Sequence, residues 1–247
     1  ISYNPFLAFA IYLTLNKLLF QKPLSRLVRN ILTFFVISMT FNMFITGGRA
    51  GQVMFFVAIV LIAFQYFKAS QVKALYTSIS FIAFISISAY YLSPVFHERI
   101  DMAAHEIVNY DVNSDLDTSI GLRINFFLNS WEIFNSSPFF GVGTGDFPDE
   151  YKKINAINTP NATETSQPHN MYMLILTQLG LIGLISFLWI FYLQFKIAWA
   201  SANQSIRNIG IAIPLLFLTI MWSDSYLLGH YTSNLFILFS SFIYMNR

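Results

Sequence analysis

The stretch 168-PHNMYMLILTQLGLIGLISFLWIFYLQF-195 decides the fold, because its polar start gives way to residues 170–195, which carry no Asp, Glu, Lys or Arg. A helix needs about 20 mostly apolar residues to cross a bilayer. Six other apolar segments of similar length occupy residues 3–20, 27–46, 51–67, 72–92, 207–223 and 226–245. Lipid offers the backbone no hydrogen-bond partner, so all seven segments are predicted to be helices. The predicted fold is an all-α, polytopic integral membrane bundle.

Composition agrees with a membrane protein. The 247 residues are 55% hydrophobic and 11% charged, whereas a soluble domain usually carries about 25% charged residues. There is no cysteine, which excludes disulfides, a thiol nucleophile and zinc–thiolate sites. We expect membrane lipid, and no nucleic acid, among the partners of this chain.

Charge is distributed unevenly along the chain, and this predicts the topology. If the seven segments alternate in direction, nine basic residues fall on one face, and all twelve acidic residues fall on the other. Basic residues favour the cytoplasmic side, so residues 93–169 are predicted to form an extracytoplasmic loop between helices one to four (1–92) and five to seven (170–247). The N-terminus would then lie outside, and together with Ile1 this predicts a C-terminal part of a longer protein. The nine basic residues are Lys17, Lys22, Arg26, Arg29, Lys68, Lys73, Lys196, Arg207 and Arg247.

The loop itself is predicted to be partly helical and to form part of an active site. Apolar residues recur at spacings of three or four over residues 119–135, which is typical of an amphipathic helix. Shorter helices are expected over 97–110 and 146–156. Between them, the glycine cluster 141–145 (GVGTG) predicts a tight turn. Such a turn can present amide N–H groups to an anion, although a plain turn explains the glycines equally simply.

Two arginines are candidate anion ligands. Arg49 lies in the sequence TGGRAG (46–51), at the predicted outer junction of helices two and three. Ionisable residues at membrane depth are usually functional, and the planar guanidinium suits phosphate; the alternative is a side chain that reaches to lipid headgroups. Arg123 begins the amphipathic loop helix, where a solvated surface charge is the alternative reading.

His169 is the candidate general base. It is predicted to lie at the membrane surface, at the N-terminus of helix five. This end of a helix favours a neutral imidazole, which can accept a proton near neutral pH; an anchoring histidine at the interface is the alternative. No metal site is predicted. Residues 111–117 resemble the opening of a calcium loop, but Leu116 and Leu122 replace the required Gly and Glu.

The order of short motifs resembles a known family. GLR (121–123), PFFGVGTGDF (138–147), PHNMY (168–172) and GLIGL (180–184) follow the arginine of TGGRAG. Together they resemble the O-antigen ligase and O-antigen polymerase (Wzy-type) superfamily of bacteria, over about residues 40–195. Members usually have more helices than the seven found here, which agrees with a chain that is part of a longer protein.

The resemblance implies a GT-C-like glycosyltransferase of the bacterial cytoplasmic (inner) membrane, with its loop facing the periplasm. It implies a polyprenyl-diphosphate-linked glycan as donor (undecaprenyl diphosphate in bacteria), with no metal, nucleotide sugar or other cofactor. The acceptor would be the glycolipid lipid A-core for a ligase, a second lipid-linked repeat unit for a polymerase, or a protein hydroxyl, and these alternatives stay open. His169 would orient or deprotonate the acceptor hydroxyl. The expected diphosphate ligands are Arg49, Arg123, Gly143, Gly145 and Asn170.

Two other functions remain open from the sequence. A transporter or flippase of lipid-linked glycans would use Arg49 to bind substrate, and would be expected to have polar groups and broken helices near mid-membrane. A non-catalytic assembly subunit would use the loop to bind a partner protein. Transfer of a glycan by the purified protein would distinguish the glycosyltransferase from both of these alternatives.

Overall fold

The computed structural model describes residues 3–21, 23–46, 48–108 and 118–245. Within these ranges the chain is all-α, without strands. Its ten helices are α1 (Asn4–Phe20), α2 (Arg26–Thr46), α3 (Arg49–Tyr66), α4 (Gln71–Leu92), α5 (Pro94–Val108), α6 (Ser119–Ser136), α7 (Phe147–Asn158), α8 (Met171–Trp199), α9 (Gln204–Ile220) and α10 (His230–Tyr244).

Four helices, α2, α3, α4 and α8, are long and apolar enough to cross a membrane. The other three predicted spans are shorter: α1 and α9 have 17 residues each and α10 has 15, at or below the lower end of the range that spans a bilayer. Large apolar side chains such as Phe34, Phe41 and Phe84 are exposed along α2 and α4, as expected for helices that face lipid. The prediction of a helical integral membrane protein is confirmed.

The described chain forms two compact units. The first contains the described residues of Ile1–Ile100, Gln194–Ile220 and Asn234–Arg247. In it, α3 packs against α1, α4 and α9. The Tyr12 hydroxyl donates to the side-chain oxygen of Gln65 and to the carbonyl oxygen of Asn208, at 3.0 and 2.9 Å. This buried network joins the middle of α1 to the end of α3 and the start of α9.

Basic residues gather at that same end of the first unit. Gly210 packs so closely on Ala198 that an added Cβ would lie 2.8 Å from it, which brings the end of α8 to the start of α9. Short connections place the starts of α2 and α4 beside the ends of α1 and α3. Lys22 and Arg247 lie outside the described residues, and the cytoplasmic side of this end stays a prediction. The other predicted basic residues gather at this end: Lys17, Arg26, Arg29, Lys68, Lys73, Lys196 and Arg207.

The second unit contains Asp101–Leu193 and Met221–Ser233. Its helices α6 and α7 pack together around Tyr151, which is fully buried. Asn129 donates from Nδ2 to the Tyr151 hydroxyl and to the Thr159 hydroxyl, at 3.3 and 3.0 Å. Burial raises the pKa of the Tyr151 hydroxyl, so that group stays protonated. The sequence predicted these loop helices to within a few residues, whereas the division at residues 92 and 169 stays a prediction.

Helix α8 departs from the prediction of an unbroken helix. Gly180, with φ +64, lies outside helical geometry within it. Segment 137–143 occupies the break: Val142 and Gly143 donate their N–H groups to the carbonyls of Thr177 and Gln178 at 2.8 and 3.1 Å. Leu181 and Ile182 donate in turn to carbonyl oxygens of the same segment, at 2.8 and 3.3 Å. The loop thus satisfies the polar groups that the broken helix frees.

Glycine is required on both sides of this contact. An added Cβ on Gly180 would lie 2.3 Å from the carbonyl carbon of Phe139, and one on Gly141 would lie 2.3 Å from that of Gln178. Both glycines also have positive φ, which L side chains adopt at a cost. The glycine cluster therefore packs on α8 as well as forming a turn.

Candidate active site

The candidate site is built on His169, immediately before α8. Its Nδ1 lies 3.0 Å from Oδ1 of Asp224, and the side chains are 37% and 41% exposed. Two local features hold this pair in place. The side-chain oxygen of Asn170 accepts from the N–H groups of Tyr172 and Met173 at 3.0 and 3.2 Å, which caps α8. The Met171 N–H donates to the Met221 carbonyl at 2.9 Å, which ties the start of α8 to the turn that carries Asp224.

His169 adopts a strained backbone conformation. Its φ of +49 makes it the non-glycine residue with positive φ in the described chain. A bulky residue in this region costs about 1 kcal/mol or more, and such strain concentrates at functional sites. The conformation places the imidazole against Asp224 and against the ring of Phe126, with ring centroids 5.6 Å apart and planes inclined by 25°.

Helix α6 supplies one wall of the site. Phe126 stacks on the imidazole, and its other neighbour is Tyr151, in an edge-on contact with centroids 5.9 Å apart. Arg123 precedes Phe126 by three residues, so the two share a face of α6. The Arg123 side chain is exposed, and its positive charge acts on Asp224. The structure thus brings Arg123 and His169 to one region.

The charges at the site fix the protonation of Asp224. Partial burial opposes ionisation, but the hydrogen bonds from His169 and from the Ser225 N–H, together with the positive charge of Arg123, lower the pKa of its carboxyl. Burial and the Asp224 charge raise the pKa of Tyr226 to about 12, so the phenol stays neutral. An ionised Asp224 accepts from Nδ1–H of the imidazole, and this tautomer leaves Nε2 free to accept a proton.

Of the three other predicted ligands, Gly143 and Asn170 have structural contacts. The Gly143 N–H is engaged by the Gln178 carbonyl, and Asn170 is 8% exposed, with its side-chain oxygen used as the helix cap. Gly145, with φ +92, has open space beside it. Their roles as diphosphate ligands stay predictions. Residues 111–117 lie outside the described residues, and those that are described contain no cluster of three potential metal-ligating side chains.

Arg49 belongs to the first unit and begins α3, after Gly48. A cation at a helix N-terminus opposes the helix dipole, whereas an anion there is stabilised. Nothing in the described chain forms an ion pair or hydrogen bond with this guanidinium, which is partly buried. Gly48 and Gly51 both pack on Asn4 of α1, with added Cβ atoms falling within 2.4 Å of it. The role of Arg49 in binding diphosphate stays a prediction.

Sequence reasoning missed Asp224 and Phe126. Asp224 carried a usable signal: it is the only acidic residue after Glu164 and stands between two apolar segments. Phe126 carried none, because it is one of 27 phenylalanines and lies on the apolar side of an amphipathic helix.

The fold and site define a helical integral membrane protein with a histidine–aspartate pair beside an exposed arginine. The family model described as O-antigen ligase matches residues 34–188, so the chain belongs to this family. It is also 28% identical over 147 residues to an uncharacterized protein of Haemophilus influenzae; the match covers 58% of this chain and 36% of that protein. The chain thus spans about a third of the length of this relative.

Proposed function

We propose that this chain is the catalytic part of a membrane glycosyltransferase, which transfers a glycan from a polyprenyl-diphosphate-linked donor to an acceptor hydroxyl. Membership of the O-antigen ligase family supports the general reaction class. The single observation that carries the proposal is the hydrogen-bonded pair of His169 and Asp224, because transfer to an alcohol needs a base.

In the proposed reaction, Nε2 of His169 accepts the proton of the acceptor hydroxyl. The acceptor oxygen forms a bond to the anomeric carbon of the donor sugar while the bond from that carbon to the diphosphate oxygen breaks. The polyprenyl diphosphate leaves with the electron pair. Asp224 stabilises the imidazolium that forms, and direct attack inverts the anomeric configuration without a protein nucleophile.

Negative charge develops on the departing diphosphate, so charge stabilisation is the main demand on the site. Arg123 is suited to this task, because its exposed guanidinium lies on the same helix face as the ring that packs on His169. The reaction as proposed needs no metal. For Arg49, a guanidinium at a helix N-terminus without an ion-pair partner among the described residues supports a separate role in binding an anion.

We further propose that transfer occurs on the periplasmic face of the inner membrane, with lipid A-core or a second lipid-linked repeat unit as acceptor. The clustering of basic residues at one end of the first unit supports this orientation, since basic ends favour the cytoplasm. Both proposed substrates are lipid-anchored or surface-bound, which suits a site at a helix N-terminus near the membrane surface.

The break in α8 is the observation that favours a transporter, because discontinuous helices often bind substrate or ions. Here, however, the groups freed at Gly180 are bonded to segment 137–143. They are therefore not available to a transported ion, and the break supports a structural role for the loop instead.

The test is an in vitro transfer assay with the full-length protein in liposomes, a polyprenyl-diphosphate oligosaccharide, and EDTA throughout. Lipid A-core and a second lipid-linked oligosaccharide are offered separately. A single shift of lipid A-core identifies a ligase, and a ladder of longer lipid-linked chains identifies a polymerase. His169→Ala is expected to abolish transfer, while His230→Ala, a matched exposed histidine in the second unit, retains it. Full transfer by folded His169→Ala protein would contradict the assigned role.

A further inference from the structure

A cavity in the first unit lies outside the region of the proposed chemistry. It has a volume of about 440 Å³ and is lined by the last turns of α3, the end of α8 and the first turns of α9. Its charged side chains are Lys68, just beyond α3, and Arg207, in the first turn of α9. Apolar side chains such as Phe64 and Ile211 complete the lining. The cavity therefore combines two cations with an apolar wall.

Within the residues that the structure describes, neither cation forms an ion pair with a carboxylate. The first unit contains a single acidic residue, Glu98, which lies beyond the opposite end of α4. Helix α4 has 22 residues, so the two ends are about 33 Å apart. Arg207 makes a long contact of 3.5 Å to the Ser201 carbonyl, and Lys68 is exposed. Both side chains thus retain donors for an anion.

Asn208 also lines this cavity, and its side-chain amide is an uncharged donor. This residue is 3% exposed, and its Nδ2 has no hydrogen-bond partner in the described chain. Its backbone carbonyl already accepts from Tyr12 and from Gln65, at 2.9 and 3.1 Å, which fixes the residue in place. A buried amide nitrogen without an acceptor is unusual and calls for a partner. The side chains of Lys68 and Arg207 carry only hydrogen-bond donors, so they offer the Asn208 amide no acceptor.

We propose that this cavity binds the phosphate headgroup of an acidic phospholipid. Lys68, Arg207 and the Asn208 amide would donate to the phosphate, and the apolar lining would contact the glycerol and the start of the acyl chains. A lipid is favoured over a soluble anion because the cavity lies at the ends of apolar helices. Trp199, 75% exposed at its edge, is a residue type enriched at membrane interfaces. Basic pockets between helices are known to hold such headgroups.

The position of the cavity separates this proposal from a general attraction of basic ends to anionic membranes. Lys17 and Lys73 are exposed at the same end of the first unit but do not line the cavity. A diffuse attraction would depend equally on all of these charges, whereas a site depends on Lys68 and Arg207. The double variants Lys68→Gln/Arg207→Gln and Lys17→Gln/Lys73→Gln remove the same charge and form a matched pair.

The experiment titrates phosphatidylglycerol into the delipidated full-length protein in neutral detergent, with native mass spectrometry and thermal unfolding as readouts. Phosphatidylcholine and inorganic phosphate are the comparison ligands. Wild type is expected to bind one phosphatidylglycerol and to unfold at higher temperature with it. Each charged hydrogen bond lost should weaken the affinity for phosphatidylglycerol about tenfold. Lys68→Gln/Arg207→Gln, the cavity variant, should therefore bind this lipid about a hundredfold more weakly. The matched variant should stay within about twofold of wild type.

Equal losses of phosphatidylglycerol affinity in both double variants would overturn the proposal in favour of diffuse attraction. Equal stabilisation by inorganic phosphate and by phosphatidylglycerol would overturn the choice of a lipid. Absence of retained phosphatidylglycerol on wild type would also overturn it. If the cavity variant does not fold, the single variant Lys68→Gln, at an exposed position, should still bind about tenfold more weakly. Arg207→Lys, which keeps the charge, should restore part of the affinity lost in Arg207→Gln.

Discussion

Replacing Asp224 by Asn removes one charge from the proposed site while preserving its shape. The Asn side chain keeps an oxygen that can accept from the Ser225 N–H, as Asp224 does at 2.8 Å, so the turn is expected to remain folded. What changes is the partner of His169. The imidazolium formed when the acceptor hydroxyl loses its proton would no longer face a carboxylate.

The size of the loss follows from the geometry. Two unit charges 3.0 Å apart, the separation of His169 Nδ1 and Asp224 Oδ1, interact by about 2.8 kcal/mol at an effective dielectric constant of about 40. This dielectric constant lies between the values for water and for a protein surface, because both side chains are more than a third exposed. A barrier raised by that amount slows the reaction about a hundredfold.

The assay is the transfer reaction with donor concentration and pH varied, so that kcat and KM are separated. Asp224→Asn should lower kcat about a hundredfold with little change in the KM for the donor, since Asp224 acts through His169. Asp149→Asn, an exposed acid in the first turn of α7, is the matched control and should keep the wild-type rate. The reasoning would be refuted by a folded Asp224→Asn protein that keeps the wild-type kcat. It would also be refuted if the loss of kcat/KM came entirely from a higher KM.

Three further predictions concern strain and pH. His169→Asn keeps a residue type that tolerates positive φ, so thermal unfolding should be little changed, while transfer falls by about 10²-fold or more. Gly180→Ala should lower the free energy of unfolding by about 3 kcal/mol, measured by thermal unfolding. The added Cβ would clash with Phe139 and leave buried hydrogen-bonding groups without partners. Gly145→Ala, which has open space beside it, should lower the free energy of unfolding by only about 1 kcal/mol. The lowered pKa of Asp224 predicts stabilisation that is complete above its unfolded pKa of about 3.9. That stabilisation is lost as pH falls through the lower folded pKa, so the Tm gap to Asp224→Asn should narrow as pH falls below about 3.9; a gap that stays constant on acidification would contradict it.

Hydropathy and helical periodicity predicted most of the fold, because lipid leaves the backbone few alternatives to a helix. These patterns predicted the start of α8 and the bounds of the loop helix over 119–135 to within one residue. The break at Gly180 did not, because GLIGL is compatible with a helix until segment 137–143 supplies competing hydrogen bonds. Its cause is a tertiary contact, which periodicity does not encode.

The candidate site was predictable in part for a similar reason. His169 and Arg123 stood out through their local setting, at a predicted helix start and on an amphipathic helix. Asp224 lies 55 residues from its partner, and tertiary contacts such as the hydrogen bond between Met171 and Met221 bring its turn to the start of α8. A single sequence does not show that His169 and Asp224 lie next to each other.

The contact between segment 137–143 and Gly180 also bears on how the protein is made. A helix that enters the bilayer with an open turn exposes amide and carbonyl groups, each costing several kcal/mol in lipid. The segment that covers these groups lies about 40 residues earlier in the chain. It has therefore already been synthesised when the second half of α8 is made, so α8 can integrate with its partner segment present. The order of synthesis thus keeps the polar groups of the one interrupted membrane helix in the described chain from facing lipid without partners.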